Sequence, residues 1–218
     1  MFLFIFPVLQ CRLLRKVSTV TFGVMVKIGA MIQVAMIRQI HTIHTTHTKI
    51  ITTMIGKKIY LIGYMGCGKT YTGRRISDKY GLQFIDLDTY IEKRQFKTIP
   101  QLFQERGEEE FRKLERAMLE EVSAMEDVII STGGGAACFF DNIELMNQTG
   151  ETIYLQASVD SLFDYLKSAK KGRPLLAQKN DEELYIFIKE NLKKREPYYL
   201  QARHVLDSMD ESDLLFDE

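Results

Sequence analysis

The sequence predicts an α/β fold in which helices cover both faces of a parallel β-sheet, and two observations support this prediction. From Met54 onward, short apolar runs alternate with longer helical stretches, which is the pattern of parallel sheets. Gly63, Asp86 and Gly133 also come directly after apolar runs, at the carboxyl ends of strands, where open α/β sheets bind their ligands. We therefore expect one domain with a ligand site at that end of its sheet.

The first half of this domain alternates strand and helix in short units. The apolar run Ile59–Ile62 predicts the first strand, and the stretch from about Lys69 to Tyr80 predicts the first helix. Residues 82–88 (LQFIDLD) fit a second strand, and two further helical stretches follow, separated near Gly107. Strands this short and apolar fit burial from both sides of a sheet.

The second half of the domain continues the alternation. Residues 127–135 (DVIISTGGG) predict a strand that enters a glycine turn, and residues 151–157 (ETIYLQA) predict another strand. Helical stretches follow near residues 159–167 and 181–194, and residues 203–207 (RHVLD) fit a last short strand. The whole pattern is that of a single layered sheet.

The composition is that of a soluble globular domain. The chain has 218 residues, of which 45% are apolar and 27% are charged, enough for one core of ordinary size. Residues 1–53 carry six Lys or Arg and no acidic residue, which leaves 23 basic against 29 acidic residues from Met54 onward. A mildly acidic domain argues against a nucleic-acid partner. Cys11, Cys67 and Cys138 lack paired or metal-like spacing, which indicates a reducing compartment.

Residues 1–53 differ from the rest of the chain and follow no helix or strand period. Basic residues break their apolar runs, so that none reaches the ~18–20 residues that a membrane span needs, and we expect no membrane partner. The acid-poor composition resembles an organellar transit peptide, and the opening MFLFIFPVL faintly resembles a signal sequence. We favour a plainer interpretation, in which translation begins at Met54 and residues 1–53 are a mis-annotated or disordered extension of a domain spanning residues 54–218.

Three histidines in this extension, His41, His44 and His47, are spaced three apart, and such spacing on a helix could suggest a metal site. The surrounding threonines disfavour a helix, and no acidic or cysteine ligand lies nearby in the sequence. We therefore interpret the spacing as an accident of composition.

The segment after the first strand has the pattern of a phosphate-binding loop, Gly63-x-x-x-x-Gly68-Lys69-Thr70. Glycines let backbone amides approach phosphates, and the helix that begins here adds its positive dipole end. Lys69 can place its charge on the β and γ phosphates, while the Thr70 hydroxyl can bind magnesium. The alternative is a glycine turn with a solvated lysine, but a predicted strand before the motif and a predicted helix after it favour the nucleotide. Cys67 would contribute its amide and not its sulfur.

Asp86 and Asp88 share one face if the second strand continues through both of them. Two carboxylates beside a triphosphate site can divide the work, one near magnesium and the reacting hydroxyl, the other bound to a polyol. Alternatively, Asp88 caps a helix that starts at Thr89. The spacing alone leaves both interpretations open.

Three later segments carry further candidates. Arg112 and Glu115 lie three apart on a predicted helix, so Glu115 could fix the guanidinium, although such pairs are most often solvated. Three consecutive glycines in residues 131–136 (STGGGA) indicate the close approach of a ligand or another segment. The basic segment 170–176 (KKGRPLL) fits either a mobile lid that carries Arg173 or an ordinary exposed loop.

Taken in order, these segments resemble the shikimate kinase family. The motifs that carry the resemblance are Gly63-x-x-Gly66-x-Gly68-Lys69-Thr70, Asp86-x-Asp88, Gly107-Glu108 with Phe111-Arg112-x-x-Glu115, Gly133-Gly134-Gly135, Arg173-Pro174-Leu175 and Arg195-x-x-Tyr198-x-x-x-Ala202. They cover about residues 56–205, in the family's order and with similar separations. The resemblance implies a P-loop three-layer sandwich with a five-stranded parallel sheet and a mobile lid, as in small cytoplasmic enzymes of the nucleoside-monophosphate-kinase type. It also implies transfer of the γ-phosphate of ATP to the 3-hydroxyl of shikimate.

The resemblance further implies a role for each site residue. The residues implied at ATP are Gly66, Cys67, Gly68, Lys69, Thr70, Tyr71 and Arg173, with Thr70 and Asp86 at one Mg²⁺ ion. Those implied at shikimate are Asp88, Arg112, Gly134 and Arg195, with the two guanidinium forks on its carboxylate. Lys69, Asp86 and Arg173 are implied to be catalytic. For Asp86 we favour organiser over strong base, because phosphoryl transfer needs mostly positioning and charge neutralisation. We expect a cytoplasmic monomer, since the motifs need no second chain.

One departure from the family pattern concerns the nucleotide base. Many family members carry an arginine several residues before the lid arginine, whereas this chain offers only Lys167, Lys170 or Lys171, so we expect altered nucleotide affinity or base selectivity. Two alternatives remain. A gluconate kinase would share the loop and the lid but not the two arginines at Arg112 and Arg195. A catalytically silent P-loop module would have no chemical need for all four of Lys69, Thr70, Asp86 and Arg173, so their presence argues against it.

Overall fold

The protein is described from a computed structural model, which covers residues 58–169, 176 and 179–207. The predicted extension 1–53 with its three histidines, the lid arginine Arg173 and the acidic residues after 207 lie outside the described residues. Among the helices that are described, none is both long enough and apolar enough to cross a membrane.

Five parallel strands form the sheet, as the family resemblance implies. They are β1 (Ile59–Ile62), β2 (Gln83–Asp86), β3 (Val128–Ser131), β4 (Glu151–Gln156) and β5 (His204–Asp207), in the order β2-β3-β1-β4-β5. Every residue of β1 and β3 is buried. Since successive residues of a strand point to opposite faces, protein covers both faces at the centre of the sheet. The prediction of a layered α/β fold is confirmed.

Within the described residues, six helices connect the strands. They are α1 (Lys69–Tyr80), α2 (Leu87–Gln95), α3 (Ile99–Ser123), α4 (Asn142–Thr149), α5 (Val159–Ser168) and α6 (Asp181–Tyr199), with a 3₁₀ turn at Ala136–Cys138. Local sequence explains several ends. Capping boxes begin α3 at Thr98 and α6 at Asn180, where side chains satisfy free backbone amides. Gly81 ends α1 with a φ of 68°, the left-handed conformation that glycine adopts readily.

The structure differs from the sequence predictions in three places. Strand β2 ends at Asp86 and α2 begins at Leu87, so the strand does not continue through Asp88. The 3₁₀ turn and α4 occupy a stretch for which we predicted no helix. The two helical stretches expected around Gly107 form one element, α3, but Gly107 itself is not helical (φ 75°, ψ 175°), so the break was placed correctly.

The hydrophobic core lies between the sheet and its helices. Its helical members include Ile76, Ile91, Leu119, Leu166 and Ile188, all fully buried. The segments that follow β1, β2 and β3 emerge side by side, because these three strands are adjacent and parallel. Residues far apart in the sequence therefore meet at the carboxyl ends of the strands.

Candidate active site

The loop between β1 and α1 has the backbone conformation that its glycines predict. Gly63, Gly66 and Gly68 have φ angles of 141°, 85° and 90°, which strongly favour glycine. A Cβ atom at Gly63 would lie 2.7 Å from the carbonyl oxygen of Leu155 on β4. The loop is therefore packed closely on the neighbouring strand and leads into the N-terminus of α1, where anions bind.

The Lys69 side chain turns back over this loop. Its ammonium donates hydrogen bonds to the carbonyl oxygens of Gly63 and Tyr64, both at 2.9 Å, and Nζ lies 3.7 Å from Sγ of Cys67. Only 7% of Lys69 is exposed. The loop carbonyls thus hold the positive charge above the place where phosphates would bind.

Thr70 and Asp86 form a direct link between the start of α1 and the end of β2. The Thr70 hydroxyl donates to Oδ2 of Asp86 at 2.9 Å, while Oδ1 accepts from the backbone amide of Thr89 at 3.1 Å. Asp86 is therefore the N-cap of α2, and the alternative that Asp88 caps this helix is wrong. A hydroxyl beside a carboxylate supplies the hard oxygen ligands that Mg²⁺ prefers. The ion usually keeps several of its waters and binds few protein groups, so two such ligands are sufficient.

Asp88 lies in the first turn of α2 and borders the cleft from which solvent reaches it. Protein surrounds its carboxyl on the other sides, and this desolvation, together with the charge of Asp86, raises its pKa above the ordinary value. Lys69 and Arg112 oppose the shift. The carboxylate is thus a hydrogen-bond acceptor held close to both the nucleotide loop and a guanidinium.

Arg112 is held on several sides. Nη1 donates to Glu115 at 2.7 Å and Nη2 donates to Glu108 at 3.2 Å. The guanidinium carbon lies 4.1 Å from the centre of the Phe139 ring, with Phe111 at 5.3 Å. Glu115 is 1% exposed, so the expectation that such a pair is usually solvated is wrong here. Burial raises the pKa of the Glu115 carboxyl, and the charge of Arg112 opposes that rise.

The three glycines after β3 have different close neighbours. A Cβ at Gly133 would lie 2.8 Å from Oδ1 of Asp88, one at Gly134 would lie 3.0 Å from the amide nitrogen of Met65, and one at Gly135 would lie 2.9 Å from Nη2 of Arg112. The predicted close approach is confirmed. The glycines let this loop fit between the nucleotide loop and the two charged residues.

The C-terminal half of α6 contacts the same glycine loop. Nη1 of Arg195 donates to the carbonyl oxygen of Gly134 at 3.2 Å, and the buried Tyr199 hydroxyl donates to the same oxygen. Tyr198, which belongs to the sequence motif, is 41% exposed. Sequence reasoning therefore missed Tyr199, although the four-residue spacing from Arg195 places both side chains on one face of the helix.

A cleft of about 210 Å³ gathers most of the predicted site residues. Those that line it are Gly66, Gly68, Lys69, Thr70, Tyr71, Asp86, Asp88 and Gly134. Cys67 is buried and does not border the cleft, and Arg112 and Arg195 adjoin it through the glycine loop. A larger cavity of about 470 Å³ lies elsewhere, between Lys58, Asp127 and Glu151 at the amino ends of the strands, and contains none of the predicted residues.

The chain is similar in sequence to known proteins. The profile of the shikimate kinase family matches residues 65–218. The chain is 55% identical over 148 residues to the shikimate kinase of Phocaeicola vulgatus, which covers 68% of this chain and 85% of that protein. The corresponding protein of Parabacteroides distasonis is 53% identical over 152 residues, covering 70% of this chain and 88% of that protein. This chain belongs to the shikimate kinase family.

Solved shikimate kinases have the same fold. The crystal structure from Bacteroides thetaiotaomicron superimposes with a TM-score of 0.68 at 52% identity, over 69% of this chain and 86% of that one. The Acinetobacter baumannii shikimate kinase, solved in complex with shikimate, gives a TM-score of 0.64 at 34% identity, over 72% of this chain and 86% of that one. Family membership favours shikimate kinase over the gluconate kinase alternative.

Proposed function

We propose that this chain phosphorylates the 3-hydroxyl of shikimate with ATP, giving shikimate 3-phosphate for the synthesis of chorismate and aromatic amino acids. The observation that carries the proposal is one cleft in which a phosphate-binding loop adjoins a carboxylate and two guanidinium groups. The names of the relatives described above, which are shikimate kinases, and the shikimate bound to the Acinetobacter enzyme support the choice of acceptor.

The nucleotide would bind along residues 66–71. In this arrangement the Lys69 ammonium leaves the carbonyl oxygens of Gly63 and Tyr64 and binds phosphate oxygens instead. Thr70 and Asp86 would hold one Mg²⁺ ion through the oxygens that now face each other. When bound there, the ion would supply charge neutralisation for the phosphates of the nucleotide. We assign Arg173, which lies outside the described residues, to a lid that excludes water. Its guanidinium would join Lys69 at the transferred phosphoryl group.

Shikimate would bind on the other side of the cleft. Asp88 accepts hydrogen bonds from ring hydroxyls, while Arg112 and Arg195 bind the carboxylate with the backbone at Gly134 between them. Guanidinium forks match a planar carboxylate, and an anionic acceptor orients a polyol. The contacts of Arg112 with Glu108 and Glu115 support this role, because they hold the guanidinium in place before the substrate arrives.

The chemical step is an in-line transfer. The 3-hydroxyl oxygen forms a bond to the γ-phosphorus as the bond to the bridging oxygen of ADP breaks, and the hydroxyl proton is released to solvent. Asp86 acts as organiser, because the Thr70 hydroxyl and the Thr89 amide already fix both of its oxygens. Lys69 neutralises the charge that develops on the transferred group.

The test is a coupled ADP-release assay on the purified chain with ATP and magnesium, comparing shikimate, gluconate and no acceptor. We expect turnover only with shikimate, and a loss of about 100-fold or more in kcat for Lys69→Ala with near-native melting. ATP binding without turnover on either acceptor would instead support a silent P-loop module. We also propose that residues 54–218 form the catalytic unit and act as a cytoplasmic monomer, since one chain supplies every described site group.

A further inference from the structure

The Tyr199 hydroxyl makes a contact that the proposed reaction does not yet use. Its side chain is fully buried at the end of α6, and the hydroxyl donates to the carbonyl oxygen of Gly134. The same oxygen accepts a hydrogen bond from Nη1 of Arg195 at 3.2 Å. Burial strongly raises the pKa of the phenol, with the Arg195 guanidinium opposing the rise, so the hydroxyl keeps its proton and remains a donor.

The nucleotide loop also lies close to Gly134. A Cβ at this glycine would lie 3.0 Å from the amide nitrogen of Met65 in the nucleotide loop. The glycine loop is therefore close to both the nucleotide loop and α6. Its only side-chain hydrogen bonds at Gly134 among the described residues come from Arg195 and Tyr199.

We propose that Tyr199 is a positioning residue for the recognition of the substrate carboxylate, acting through Gly134 and Arg195. This inference rests on the proposed function. A carbonyl oxygen has two lone pairs, and Tyr199 occupies one of them. If that donor is lost, the carbonyl oxygen depends on Arg195 alone, and this oxygen then competes with the substrate carboxylate for the donors of the guanidinium.

The aromatic ring of Tyr199 has a separate packing role. Its centre lies 5.2 Å from that of Tyr154 on β4, and both side chains are buried. Tyr199→Phe keeps this ring contact and removes only the hydroxyl, so it creates no large cavity. One hydrogen bond is a small part of the stability of a folded domain, and we expect the variant to fold.

The chain offers two matched controls for Tyr199→Phe. Tyr198→Phe alters the adjacent residue of the same helix, whose side chain is 41% exposed. Tyr154→Phe removes a buried hydroxyl that has no hydrogen-bond partner within the described part of the chain. The first control tests for effects of any change at this helix end, and the second tests for the loss of any buried phenol.

The measurement is steady-state kinetics with each substrate varied in turn, with melting recorded for every variant. For Tyr199→Phe we expect the KM for shikimate to rise about 5- to 10-fold, as the loss of one hydrogen bond predicts. The KM for ATP and kcat should stay within about twofold. Both controls should keep the wild-type KM for shikimate.

A double-mutant cycle with Arg195→Lys tests whether Tyr199 acts through Arg195. We expect the combined rise in the shikimate KM to be smaller than the product of the two single effects. An unchanged shikimate KM in Tyr199→Phe, an equal rise for ATP, or a purely multiplicative cycle would overturn the inference while leaving the proposed function intact. A wild-type chain without shikimate-dependent turnover would overturn both.

Discussion

Replacing Gly135 by alanine tests the idea that a preset Arg112 guanidinium binds the substrate carboxylate. Gly135 has an ordinary φ of −103°, so alanine introduces no backbone strain. Its Cβ would lie 2.9 Å from Nη2 and 3.0 Å from Nη1 of Arg112, well inside van der Waals contact. The guanidinium must therefore move away from the glycine loop.

The size of the effect follows from what limits that movement. Arg112 is bound to Glu115 at 2.7 Å and to Glu108 at 3.2 Å, and the Phe139 ring lies 4.1 Å from its guanidinium carbon. A shift of about half an ångström disturbs a charge-assisted contact worth about 1.5–3 kcal/mol. We therefore expect the shikimate KM to rise about 10- to 100-fold. The far end of an arginine side chain can move, so the folding cost should be small.

The assay is the same coupled ADP release, first with shikimate varied at saturating ATP and then with ATP varied at saturating shikimate. Gly81→Ala is the matched control, because Gly81 has a φ of 68° and no described atom lies within 4 Å of the place where its new methyl group would sit. That variant should melt earlier, by about 1 kcal/mol of lost stability, yet keep both KM values. Gly135→Ala should melt close to the wild type and raise the KM for shikimate.

A shikimate KM within about twofold of wild type in Gly135→Ala would refute the reasoning, since Arg112 would then tolerate displacement. An equal rise in the KM for ATP would also count against it. In that case the new methyl group would be acting on the whole glycine loop, including its contact with Met65, and not on one guanidinium.

Three further outcomes are expected. Thr70→Ala should raise the Mg²⁺ concentration for half-maximal turnover about tenfold or more, since it removes one of two paired oxygens; an unchanged magnesium titration would contradict the metal assignment. Phe139→Leu should raise the shikimate KM about 3- to 10-fold through the lost cation–π contact with Arg112, and kinetics equal to wild type would exclude that role. Burial raises the pKa of Glu115 above 4.5, so its contribution to the free energy of unfolding is present below about pH 4.5 and is lost as the pH rises through the raised value. Glu115→Gln should flatten the dependence of the free energy of unfolding on pH in this range, as measured by urea denaturation at each pH. A pH dependence equal to that of the wild type would disprove the role of Glu115.

Local features of the sequence determined the framework of this protein. The bounds predicted for the first strand and the first helix, Ile59–Ile62 and Lys69 to Tyr80, are those of β1 and α1. The phosphate-binding loop could be identified because its functional groups lie within eight consecutive residues. Strand and helix periods, glycine conformation and helix starts depend on near neighbours along the chain, so a single sequence is sufficient for them.

Sequence spacing did not determine which polar residue takes which role. It left open whether Asp88 caps α2, whereas the end of β2 places Asp86 at that position. It favoured a solvated pair for Glu115, which is 1% exposed. It selected Tyr198 in the α6 motif, whereas the rotation of the helix against the glycine loop turns Tyr199 inward.

The tertiary structure decided these points, because each depends on groups that are distant in the chain. The carbonyl of Gly134 and the hydroxyl of Tyr199 are separated by 65 residues, and they meet only because the C-terminal half of α6 packs against the loop that follows β3. The burial of a charge and the rotation of a helix are likewise set by what packs against them. Local sequence patterns carry no direct record of those neighbours.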